Sequence, residues 1–137
     1  MNERNIGDEI IKLNNIKVRK VLIVEDNKIN SVILSRILQK YSFDVYVAED
    51  GLVGLEAVKS YMPDLVLMDL NMPVMNGYDS CIEIRKLQEP LRNVPIFAVT
   101  AELTPKTQNK VKEVGMNEFF SKPIDIDELL IKILEYL

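Results

Sequence analysis

The sequence predicts an α/β protein: five parallel strands in one doubly wound sheet, with helices on both faces. Three observations predict it. The continuous apolar runs Val21-Leu22-Ile23-Val24, Leu65-Val66-Leu67-Met68 and Ile96-Phe97-Ala98-Val99 are long enough for strands buried on both faces and too short for helices. The stretches between them place apolar residues three and four apart, the spacing of amphipathic helices. Strand and helix then alternate five times over, the pattern of an open, mostly parallel sheet.

Each element has its own justification. Residues 1–18 show only weak helical spacing, in Ile6, Ile10, Leu13 and Ile16, and are expected to form a linker or a short docking helix preceding a domain over 19–137. Val21 to Val24 is the first strand, and it ends in Glu25-Asp26-Asn27. Lys28 to Tyr41 carries apolar residues at 29, 33, 34, 37, 38 and 41, with Asn27 placed to cap that helix. Asp44-Val45-Tyr46-Val47-Ala48 alternates more, as an edge strand does. A helix from Leu52 to Tyr61 follows, cut off by Met62-Pro63.

The central run, Leu65 to Met68, stops on Asp69. Met72-Pro73 and Asn76-Gly77 come next and set backbone angles for a tight loop. Tyr78 to Leu87 is helical by spacing, and Ile96 to Val99 runs into Thr100-Ala101-Glu102. Thr104-Pro105 starts a helix that Gly115 ends. Glu118-Phe119-Phe120 is a short last strand ending in Ser121-Lys122-Pro123. The final helix, Asp125 to Tyr136, has an apolar stripe of Ile126, Leu129, Leu130, Ile133, Leu134 and Leu137, leaving Ile131 at its edge and exposed.

Composition narrows the function. A chain of 137 residues is one domain's worth, and 47% hydrophobic with 28% charged residues is ordinary for a globular protein. No apolar run is long enough to span a bilayer, Met1-Asn2-Glu3-Arg4 is not the start of a signal peptide, and the single Cys81 cannot form an internal disulfide, so a cytoplasmic location is expected. A net charge of −4, from 17 basic and 21 acidic residues scattered along the chain, gives no electrostatic footprint for nucleic acid. The histidine count is zero, which removes Ser-His-Asp and Cys-His mechanisms and most transition-metal sites.

In a doubly wound sheet the C-terminal ends of the strands lie along one rim, and ligands bind where the strand order reverses. Glu25, Asp26, Asp69, Thr100 and Lys122 are therefore expected to converge. Three clustered carboxylates repel one another unless a cation joins them, and an all-oxygen set with few protein ligands suits Mg2+. Asp26 and Asp69 are the expected direct ligands, with the backbone carbonyl of Asn71, while Glu25 holds a metal-bound water. An ammonium from Lys122 and a hydroxyl from Thr100 would complete what a transferring phosphoryl group needs, with Asp69 as the nucleophile. Each residue also has a plainer reading: Glu25-Asp26 as a charge pair at a helix N-terminus, Asp69 or Thr100 as a cap, Lys122 as a solvated cation.

From Lys20 onward the sequence resembles a response-regulator receiver domain of two-component signalling. The motifs are Val24-Glu25-Asp26-Asn27, Met68-Asp69 through Met72-Pro73 to Asn76-Gly77, Val99-Thr100-Ala101 and Ser121-Lys122-Pro123. The segment from Pro95 through Pro123 is most similar to the receiver domains of hybrid sensor histidine kinases, so the chain is either part of such a kinase or a stand-alone regulator. The resemblance implies a flavodoxin-like strand order 2-1-3-4-5. It implies that Asp69 takes a phosphoryl group, with Mg2+, from a phosphohistidine on a sensor histidine kinase or histidine phosphotransfer domain. It further implies a switch pair in Thr100 and Phe119, tuning of acyl-phosphate hydrolysis by Asn71 and Glu102, a cis bond between Lys122 and Pro123, and a downstream protein partner on the face of the last strand and last helix. The N-terminal extension departs from the family pattern, and no DNA-binding region follows Leu137.

Two other functions compete. A Mg2+-dependent aspartate-nucleophile phosphatase needs a second acid two residues after the nucleophile, where this chain has Asn71. A receiver-like interaction module that is never phosphorylated would have no need of the acidic and lysine set.

Overall fold

The computed structural model describes residues 5–137. It contains five strands, β1 (Lys20–Val24), β2 (Asp44–Ala48), β3 (Leu65–Asp69), β4 (Ile96–Thr100) and β5 (Glu118–Ser121), all parallel in the order β2-β1-β3-β4-β5. Six α-helices pack on the sheet: α1 (Ile6–Ile16), α2 (Lys28–Lys40), α3 (Gly51–Tyr61), α4 (Gly77–Ile84), α5 (Pro105–Glu113) and α6 (Ile126–Tyr136). The predicted fold class and strand order hold, and β2 lies at an edge as its alternation indicates.

Side chains alternate between the faces of a pleated strand, so the sheet sorts its residues into two cores. Leu22, Val24, Val66, Met68, Ile96 and Ala98 face α3, α4 and α5. Val21, Ile23, Leu65, Leu67, Phe97, Val99 and Phe120 face α1, α2 and α6. That parity carries past the strand ends: Glu25, Asp69 and Lys122 continue the second set, whereas Thr100 continues the first. Three side chains from distant parts of the sequence thus reach the same face of the rim.

The helices begin where short polar side chains satisfy free backbone N–H groups. Asn27 accepts from Asn30 N–H, Asp50 from the N–H groups of Leu52 and Val53, Asn76 from Asp79, Thr104 from Thr107 and Asp125 from Glu128. Asp50 accordingly starts α3 at Gly51, one position before the expected Leu52. α4 stops at Ile84 instead of continuing to Leu87. There the Arg85 guanidinium donates to the carbonyls of Gly115, Arg92 and Val94 and to Asn117 Oδ1, pinning the chain to neighbouring loops as the N–H groups of Lys86 and Leu87 turn back onto Glu83 and Ile84. α5 ends at Glu113, and Gly115, at φ +96, takes the left-handed conformation after it.

Two stretches depart from the stripes expected of them. In α2 only Leu38 among the six stripe residues is buried, and Ile29 and Ile33 are exposed at 72% and 54%. In the N-terminal stretch, weak in sequence, α1 buries Ile10 completely between α6 and the α2 side of the core. Asn14, also buried, donates to the Tyr41 carbonyl and accepts from Arg19 N–H, which fastens α1 to the end of α2 and the start of β1. The first four residues of the expected extension lie outside the described residues. Ile131 on α6 is exposed as its position predicts.

Candidate functional site

Asp69 is the last residue of β3, buried on both sides by β1 and β4, so its carboxyl is delivered to the rim by an element with little freedom. The loop beyond is held just as closely. Gly77 N–H donates to the Leu70 carbonyl and Gly51 N–H to the Met75 carbonyl. A Cβ at Gly77 would run into the Asp69 carbonyl oxygen, and one at Gly51 into that of Met75, which explains why both positions lack a side chain. Val74 adopts φ +70 at the tip of the loop, a strained geometry for a β-branched residue.

Around Asp69 the rim brings together Glu25, Asp26 and Lys122. One carboxylate oxygen from each of Glu25, Asp26 and Asp69 lies within 4.8 Å of the others, Glu25 and Asp69 being buried and Asp26 exposed. Lys122 Nζ donates to Glu25 Oε1 at 2.8 Å and lies 3.4 Å from Asp69 Oδ2. Asp69 Oδ1 accepts from the Asn71 N–H at 3.2 Å. Asn30, three residues into α2, was not anticipated: its side-chain amide makes a long 3.5 Å bond to Glu25 Oε1. Its sequence signal was its spacing from the cap Asn27, which turns position 30 back toward the rim.

The electrostatics follow from two carboxyls sharing a confined space. Burial pushes Asp69 up to about 7, and the hydrogen bond and negative charge of Glu25 push the same way against Lys122. Glu25 is held below its ordinary value: burial raises it, but the hydrogen bonds with Asp69 and Lys122 and the ammonium charge outweigh burial. One proton is therefore shared by the pair and resides on Asp69 at mildly acid pH. Lys122 is shifted upward: burial lowers it, but its bonds and charge pairing with Glu25 and Asp69 outweigh that. It remains an ammonium.

The other predicted residues lie around this cluster in different ways. Thr100 is buried, with its hydroxyl accepting from the Glu102 N–H at 3.2 Å and facing the Glu102 carbonyl at 3.4 Å. Phe119 is half-buried against the α3, α4 and α5 core. The Glu102 and Asn71 side chains are exposed at the rim. The Lys122–Pro123 peptide bond is cis, and so is Glu89–Pro90.

The donor set fits a hard, oxygen-binding dication. Two buried carboxylates and one exposed carboxylate, with a single ammonium among them, leave an excess of negative charge that a compact cation would neutralise. A family model described as the response regulator receiver domain matches residues 21–134, nearly the whole chain beyond α1. The chain belongs to the response regulator receiver family. Over 121 residues this receiver is 40% identical to hybrid signal transduction histidine kinase M of Dictyostelium discoideum, covering 85% of the receiver and 5% of that kinase. It spans less than a fifth of the first three curated relatives it matches. It superposes with a TM-score of 0.80 on the receiver domain of sensor histidine kinase PA1611 of Pseudomonas aeruginosa, at 31% identity over 87% of this chain and 97% of that one. That structure is described with a magnesium ion coordinated in its active site cleft. A TM-score of 0.78 and 31% identity, over 87% of this chain and 88% of the other, relate it to the receiver domain of Ssk1, solved with the histidine phosphotransfer protein Ypd1 of Saccharomyces cerevisiae.

Proposed function

We propose that this receiver accepts a phosphoryl group on Asp69 from a phosphohistidine of a sensor histidine kinase or histidine phosphotransfer domain, and signals through the resulting change on its partner-binding face. The observation that supports it most is Lys122 bridging Glu25 and Asp69 while the Asp26 carboxylate stands within 4.8 Å of both. Phosphoryl transfer is accelerated mainly by positioning and by charge placed around the moving group, and this cluster supplies both. An Asp69 carboxylate oxygen attacks phosphorus as the bond to the histidine nitrogen breaks, and the imidazole leaves with the bonding electrons. The chain has no histidine, so the donor is another domain or molecule.

Glu25, Asp26, Asp69 and the Asn71 carbonyl would hold Mg2+, which when bound neutralises the carboxylates and the phosphoryl oxygens. Lys122 then exchanges part of its hold on Glu25 for the phosphoryl group. Thr100, whose hydroxyl is engaged only by the Glu102 backbone, swings to the same group, and Phe119 turns inward behind it. Asn71 and Glu102, exposed beside the acceptor, set how fast the acyl phosphate hydrolyses. The responding face is β5 with α6, where Tyr136 donates to Glu118 at 2.7 Å. The receiver acts as an acceptor and not as a turnover enzyme, works in the cytoplasm without binding nucleic acid or membrane, and occupies residues 19–137, preceded by the extension over 1–18. Among the described residues no helix is long and apolar enough to cross a membrane.

Incubation with acetyl phosphate and Mg2+ is expected to add one phosphoryl group, read by intact mass. EDTA present from the start, or Asp69→Asn, abolishes it. An unlabelled protein under conditions that label a control receiver would favour an interaction module; continued release of phosphate from monoesters would favour a phosphatase.

A further inference from the structure

Between α2 and the start of α6, below Asp69 on the α2 side of the sheet, lies a cleft of about 470 Å³. Its floor is aliphatic, with Ile23 and Leu67 two residues before Glu25 and Asp69 on the same side of the pleat. The α2 wall runs from the Asn30 amide to Leu34 and Ile37, four and seven positions on and so about 6 and 10 Å farther from the rim. Ile124 stands on the opposite wall. Polar groups line the rim end alone, where Glu25, Asp69, Lys122 and Asn30 meet. Two carboxylates with one ammonium leave that end a surplus of negative charge, and the Asn30 amide reaches Glu25 Oε1 at a long 3.5 Å. An aliphatic recess with a few polar groups at one end suits a small molecule of the same pattern. Charge decides its head: an anion would add a third negative group, whereas a cation offsets the surplus.

We infer that the cleft binds primary alkylammonium ions of about six carbons, with the ammonium on Glu25 and the chain along Leu34, Ile37 and Ile124. Glu25 is buried, so its pairing with the ammonium is shielded from water and salt. Leu34, Ile37 and Ile124 are half-buried, and the chain covers the part of them that water now touches. The inference stands on the cleft and its charge and does not depend on phosphoryl transfer. Because the ammonium and a dication draw on the same carboxylates, the two compete, and an amphipathic amine is an antagonist of the cation site.

The test titrates the full chain, in EDTA at pH 8, with hexylammonium, ethylammonium, 1-hexanol and hexanoate, following the isoleucine methyl resonances by NMR. Hexylammonium is expected to bind about tenfold more tightly than ethylammonium, because four methylenes leave water in a half-open cleft. It should also bind about tenfold more tightly than hexanol or hexanoate, which share the chain and lack the charge-assisted bond to Glu25. Ile37→Phe and Ile124→Phe fill opposite walls, and each should weaken hexylammonium about tenfold; a misfolded variant at one leaves the other to report. Hexanol or hexanoate binding as tightly as hexylammonium overturns the inference, since the head would then not be read by charge. A flat response to chain length, or hexylammonium binding that survives both substitutions, overturns it as well, and so does the absence of any methyl shift in the unaltered protein.

Discussion

Asp69 and Glu25 hold one proton between them at mildly acid pH, where two exposed carboxyls would both be ionised, because burial penalises the charged form and a single ammonium serves both. In the fold Asp69 keeps its proton up to about pH 7, against an ordinary value of 3.8. Over that interval the native state binds more protons than the unfolded chain, so this group's contribution to stability falls as pH rises from about 4 to about 7. Asp69→Asn removes the titration. In EDTA, the stability advantage of Asp69→Asn over the unaltered protein is expected to grow by about 3 kcal/mol between pH 4.5 and 7.5, measured by urea unfolding. Parallel curves would mean that Asp69 is ionised throughout. Thr100 shows the opposite situation at the same rim: its hydroxyl has partners within its own loop and titrates nothing, so it can be redirected at little cost.

Two helices, α1 and α2, depart most from the burial their sequence patterns predict. α1 lies outside the stretch matched by the family model, yet Ile10 is as buried as the central strand residues. Ile10→Ala is expected to cost about 2–4 kcal/mol in urea unfolding, since it leaves a cavity under α6 that the remaining α1 side chains cannot fill. A loss below about 0.5 kcal/mol would show that α1 is not docked in solution. α2 buries Leu38 in the core but leaves Ile29, Val32 and Ile33 exposed, with Ile29 on its first turn, three positions after Asp26. An exposed apolar residue on the first turn after the rim suits a protein surface that approaches the carboxylate cluster from outside. Ile29→Glu is expected to slow phosphotransfer from a phosphohistidine protein about tenfold while leaving labelling by acetyl phosphate unchanged. Equal slowing of both reactions would place the defect in the site instead.

At the scale of the whole molecule, a charge cluster that is unfavourable without a cation makes stability depend on one. Mg2+ at a hundred times its dissociation constant should raise the unfolding free energy by about 2.7 kcal/mol at pH 7.5, seen as a higher Tm. The rise should shrink in Asp26→Asn, which removes an exposed carboxylate from the cluster without touching the core. No rise in the unaltered protein would mean that the three carboxylates do not act as one site. Much of the molecule was legible before folding. Continuous apolar runs named the central strands, alternation named the edge, polar residues at helix starts named the caps, and acids at the ends of apolar runs named Glu25, Asp26 and Asp69. The sequence by itself determined these features because each depends on a local period or on a turn within a few residues. What it left open was which apolar faces would be covered. α1 proved deeply packed despite a weak pattern, Ile29 and Ile33 stayed outside despite a strong one, and Arg85 cut α4 short by bonding loops up to 32 positions away. Only the tertiary structure decided those outcomes, because burial belongs to a pair of surfaces and a periodicity describes just one of them. The side of the pleat that Lys122 shares with Glu25 and Asp69 was decided in the same way, by the register of four strands, β1, β3, β4 and β5, and not by any one of them.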